Sequence, residues 1–90
     1  DIWQLPIPKH IRGKLDSKVA DIRSTGGDRT AGALVAAAFL REFVGEGISW
    51  AHLDIAGPAW TDGGGSGYIS SGGTGFGVRT LVALARSLEK

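Results

Sequence analysis

Cysteine and methionine are both missing from these 90 residues. Without cysteine there is neither a disulfide framework nor a thiolate metal site, which fits a reducing compartment. Without methionine, and with Asp1 in first place, the chain reads as a processed piece or part of a larger polypeptide. An excess of charge of one sign is missing too. Ten basic and nine acidic residues leave +1, with no basic run. Electrostatics therefore offers nothing to nucleic acid or to an anionic membrane, and neither is expected as a partner. The longest unbroken apolar run, Ala33 to Leu40, falls far short of the roughly 20 residues that cross a bilayer. The opening residues carry no signal-peptide pattern. Proline is sparse, with Pro6 and Pro8 near the start and Pro58 in the second half.

Glycine is abundant, and it punctuates the chain. Pro8 suits the first turn of a short surface helix reaching about Ser17, where its missing N–H is not needed. Ile11 and Leu15, four apart, give that helix a narrow apolar stripe. Lys18 to Arg23 alternates weakly, and Ser24 to Asp28 is a loop by composition. A helix is expected from Thr30, as cap, to about Val44, with Gly45 as its stop. Its first ten residues are apolar or small on every side, so it should be buried all round. Trp50 to Ala56 reads as a strand, with Ala51, Leu53 and Ile55 on one face and Trp50, His52, Asp54 and Ala56 on the other. Gly57 to Gly77 is a long glycine-rich loop, of a length usually functional or mobile. Val78 to Glu89 closes the chain as a helix with a broad buried face formed by Val78, Leu81, Val82, Leu84, Ala85 and Leu88.

About three helices and one clear strand make an incomplete inventory. A single strand has no sheet to join. The expected fold class is α/β, the terminal part of a doubly wound α/β/α sandwich whose other strands lie upstream.

Chemistry candidates are few. His52 and Asp54 alternate on one strand face and could approach one metal, but no third ligand is evident. The simpler reading is preferred: Asp54 accepts hydrogen bonds from N–H groups of the following turn, and His52 is a satisfied buried polar residue. The glycine loops lack the phosphate-loop form, and Gly73-Thr74-Gly75-Phe76-Gly77 does not follow a strand closely, so the dinucleotide fingerprint fails. It reads as a turn opening a helix, whose N-terminus favours anions such as a substrate carboxylate. Ser70 and Ser71 have no nearby partner His. Trp3, Trp50, Trp60 and Tyr68 are too scattered to stack single-stranded nucleic acid. In open α/β sheets ligands lie beyond the carboxyl ends of strands, which here means Ala56 to Trp60.

Several strings occur together in one order: Trp3-Gln4-Leu5-Pro6, Val19-Ala20-Asp21-Ile22, Ala31-Gly32-Ala33, Phe39-Leu40-Arg41-Glu42-Phe43, Trp50 to Gly57, and Gly73-Thr74-Gly75-Phe76-Gly77. In that order they resemble the C-terminal part of the catalytic domain of leucyl aminopeptidases, over essentially the whole chain, 1–90. The resemblance implies removal of N-terminal residues, leucine preferred, from a peptide substrate. It implies two divalent cations (Zn or Mn), which polarise the scissile carbonyl and activate a bridging water. The family's metal-binding Lys, Asp and Glu residues precede the matched part, so no metal ligand and no catalytic residue carries over onto this chain. What carries over is pocket wall. Ala56 and Ala59 match positions lining the pocket for the substrate's first side chain, and Thr25 matches a position near the second. The family often has larger residues at the positions of Ala59 and Thr25. In the loop Thr25 to Thr30, Asp28 looks inserted and Thr30 replaces a frequent Pro. The resemblance further implies a cytoplasmic enzyme, a homo-hexamer, and the upstream part of the same catalytic domain as a partner.

Two classes of function follow. In one, the chain is part of a metalloaminopeptidase and inactive alone; in the other it is a self-standing binding or interaction module. The missing Met and the incomplete α/β inventory favour the first.

Overall fold

The computed structural model describes residues 2–89. The chain divides into two compact units, Asp1–His52 and Leu53–Lys90.

The first unit is built on a 3₁₀ helix, Lys9–Leu15, packed against a ten-residue α-helix, α1, Gly32–Arg41. Pro8 starts the former in extended geometry, and its carbonyl accepts the Ile11 N–H at 3.1 Å. The apolar stripe foreseen in the sequence, Ile11 and Leu15, is buried, and Leu15 is completely enclosed. With Val35 and Ala38 of α1 these residues form the core, and Ile7, Ile22, Leu34 and Phe39 flank it. Arg12 ties the unit's surface together, its Nη1 meeting Asp16 Oδ1 at 3.0 Å and its Nε meeting Glu42 Oε1 at 2.8 Å.

α1 is shorter than expected at both ends. Ala31, in left-handed geometry (φ 54°), is its cap, and no side chain caps it. The Thr30 hydroxyl is engaged with Asp28 instead. After Arg41 the chain tightens into successive turns, with N–H groups of Glu42, Phe43 and Val44 donating to the carbonyls of Phe39, Leu40 and Arg41. The left-handed residue that follows is Gly47, not Gly45. Burial on all sides does not hold either. Val35, Ala37 and Ala38 are buried, whereas Ala33, Ala36 and Leu40 are exposed. Among the described elements the 3₁₀ helix alone packs on α1, and it covers one face.

The second unit holds the sheet. Two two-residue strands, β1 (Trp60–Thr61) and β2 (Gly72–Gly73), pair antiparallel with Trp60 opposite Gly73 and Thr61 opposite Gly72. They close the glycine-rich loop across its own base. Gly77, at φ 87°, turns the chain in left-handed geometry into α2, Val78–Ser87; such a conformation is available to glycine without a Cβ penalty. α2 has the apolar face read from its spacing, but that face is uncovered: Val78, Leu81, Val82, Leu84 and Leu88 are all exposed. The expected strand over 50–56 is not formed. Residues 48–55 have no ladder partner among the described residues and carry no regular secondary structure. A strand exists only as a paired object, and alternation in a sequence cannot supply the partner. The outcome is an α/β segment with three helices, one of them 3₁₀, and a short two-stranded sheet.

Candidate substrate-pocket wall

Ala56 and Ala59 lie on one turn of the second unit, and hydrogen bonds from three sides define it. Asp54 Oδ1 accepts the N–H of Ala56 at 3.1 Å, the role expected of that carboxylate from sequence. Ile55 O accepts the N–H of Ala59 at 2.9 Å, closing a single helix-like turn around Gly57-Pro58. Thr74, at the far end of the loop, reaches back to this turn. Its N–H donates to Ala59 O at 2.9 Å and its Oγ1 donates to Pro58 O at 2.5 Å. The Phe76 N–H donates to Thr74 Oγ1 at 3.3 Å, so the hydroxyl is both donor and acceptor. Trp60 Nε1 donates to Asp62 Oδ1 at 2.8 Å, and the indole also lies 3.8 Å from where a Cβ on Gly72 would sit. Ala56 is exposed and Ala59 half-buried. A shallow concavity of about 690 Å³ lies beside the turn, lined by Pro58, Tyr68, Thr74, Phe76 and Arg79 among others; neither alanine contributes to it.

Thr25 belongs to the first unit. It is exposed, on the loop between the 3₁₀ helix and α1. The loop is clasped at its end. Asp28 Oδ1 accepts from the Thr30 N–H at 2.9 Å and the Thr30 hydroxyl at 2.6 Å. Lys14 Nζ donates to Thr30 Oγ1 at 2.6 Å and to both Asp28 oxygens at 3.1 and 3.2 Å. These bonds, the Thr30 hydroxyl first, hold the Asp28 carboxyl down at about 2. Gly26 packs on Val35, where a Cβ would come within 3.3 Å of its Cγ2. Neither Thr74 nor the Lys14–Asp28–Thr30 clasp was singled out from the sequence. The Asp-x-Thr spacing was the available signal for the second. For Thr74 the signal was a lone hydroxyl among glycines.

His52 is half-buried, its ring 6.3 Å from that of Trp50 and tilted by 32°. Asp54 is committed to the turn. Among the described residues, no three His, Asp or Glu side chains gather into a group able to hold a metal ion. The described side chains thus do not fit a two-cation centre.

The described residues thus form an α/β segment whose best-defined local feature is a hydrogen-bonded turn of small residues. Residues 1–82 match the model of the cytosol aminopeptidase family, catalytic domain, and the chain belongs to that family. It is 60% identical over 83 residues to a protein of Streptomyces coelicolor described as "Probable cytosol aminopeptidase", covering 92% of this chain and 16% of that protein. A protein of Nocardia farcinica with the same description is 51% identical over 86 residues, covering 96% of this chain and 17% of its own length. Among solved structures, the bottromycin maturation enzyme BotP in complex with Mn superposes with a TM-score of 0.84 at 45% identity, over 96% of this chain and 19% of that one. The chain thus spans about a sixth of the length of the curated relatives it matches.

Proposed function

We propose that this chain is the C-terminal part of the catalytic domain of a two-metal-dependent aminopeptidase, releasing N-terminal residues, leucine preferred, from peptides. The match of residues 1–82 to that catalytic domain carries the reading. The chain's contribution is substrate-pocket wall, with Ala56 and Ala59 flanking the first side chain of the substrate and Thr25 near the second. The two cations, Zn or Mn, are held by parts of the domain outside this chain; the Mn complex of the similar BotP enzyme supports a divalent ion. The enzyme is cytoplasmic and assembles as a homo-hexamer.

If both alanines wall the first pocket, that pocket is roomy and apolar, suited to leucine. In the full-length aminopeptidase carrying this segment, Ala59→Phe fills it. The ratio of kcat/KM for leucine over alanine p-nitroanilide then falls, since pocket size discriminates by about 1–3 kcal/mol. A ratio unchanged within a factor of about two, well below that range, removes Ala59 from the pocket.

A further inference from the structure

Ala59 is a small residue asked to define a wall, so what matters is where its Cβ points. That direction is set by the two peptide planes on either side of its Cα, since each peptide is rigid and only φ and ψ are free. Thr74 anchors both planes, and the plane before Ala59 is held as well by the Ala59 N–H bond to Ile55 O at 2.9 Å. The Pro58 carbonyl, in the plane before Ala59, accepts the Thr74 hydroxyl, and the Ala59 carbonyl, in the plane after it, accepts the Thr74 N–H. The remaining support across the loop is thin: β1 and β2 pair over two residues each. Thr74 itself is half-buried, and its hydroxyl is oriented by the Phe76 N–H.

The geometry points to Thr74 as the positioning residue that sets the Ala59 wall of the first substrate pocket. This rests on the reading that Ala59 lines that pocket. Thr74 touches no substrate in this role; it acts through the turn. Its backbone N–H remains in every replacement but proline, so the hydroxyl is the part that can be tested. Valine keeps the shape without the oxygen, and serine keeps the oxygen without the methyl.

The experiment uses the full-length aminopeptidase with Thr74→Val, Thr74→Ser and Ala59→Phe, assayed on leucine and alanine p-nitroanilides. Thr74→Val loosens the wall, and the leucine-over-alanine ratio of kcat/KM falls about threefold to tenfold, a fraction of what a full pocket contact discriminates. The loss appears in KM for leucine with kcat kept, the mark of binding shared by ground and transition states. Thr74→Ser restores the ratio. If Thr74→Val is insoluble, Thr74→Ala takes its place. A ratio that stays put in the hydroxyl-free variant while Ala59→Phe moves it overturns the role of Thr74 and leaves the pocket reading intact. Equal loss on both substrates also overturns it, showing general structural damage. A ratio that ignores Ala59→Phe removes the pocket reading, and the positioning role falls with it.

Discussion

Asp28 shows how a single exposed carboxylate organises a loop. It accepts two bonds from Thr30, hydroxyl and N–H, and two from Lys14, and its pKa is lowered from 3.8 to about 2. A depressed carboxylate stabilises the folded form above its unfolded value, and the contribution fades as pH falls from about 3.8 to about 2. Thr30→Val removes the largest cause, so the Asp28 carboxyl titrates closer to its ordinary value; carbon-detected NMR of the side-chain carboxyl across that window checks it. An Asp28 midpoint left at about 2 in the variant refutes the assignment of the hydroxyl. The Asp54 bond to the turn was readable from sequence because Asx turns are local, spanning two residues. The Asp28 clasp was only half readable. Its Thr30 half is local, but its Lys14 half crosses fourteen positions, and nothing in the order of residues encodes that meeting.

At the scale of elements, the 3₁₀ helix and α1 depend on each other. Leu15 is completely enclosed at their interface, and Ile11 stands beside it. Leu15→Ala removes a buried side chain of a kind that costs about 2–5 kcal/mol, a large share of a typical domain's 5–15 kcal/mol. The variant should lose amide protection throughout α1 in hydrogen exchange; unchanged protection there would show that the core lies elsewhere. Helices were legible from composition and spacing: α2 begins at Val78 as expected, and the stripe of the first helix is the one observed. Their ends were less so, because Ala31 and Gly47 adopt left-handed geometry where Thr30 and Gly45 were the better-looking candidates. The strand expected over 50–56 is absent for a different reason: alternation states which residues share a face, whereas pairing requires a neighbour. The strands that do form, Trp60–Thr61 and Gly72–Gly73, are too short and glycine-rich to have announced themselves.

For the whole molecule the ledger of surface is decisive. The chain exposes 7708 Å², against about 5,000 Å² for a self-sufficient monomer of its 9.3 kDa. Even two separate bodies of half that mass come to about 6,000 Å². Five hydrophobic residues are buried among those described, all of them in the first unit. Trp3, Phe43, Leu53, Trp60 and the apolar face of α2 stay open to solvent. The relatives are about six times longer, and the part of BotP that this chain resembles is 19% of that chain. On the proposed reading, more of the catalytic domain covers this surface, and catalysis belongs to the assembled whole. The most direct measurement is hydrolysis of leucine p-nitroanilide with added Mn or Zn, by the 90-residue chain and by the full-length protein that carries it. Turnover by the full-length protein and none by the 90-residue chain is the result predicted here; turnover by the chain alone, or none by the full-length protein, would contradict the claim that these residues are pocket wall of an aminopeptidase.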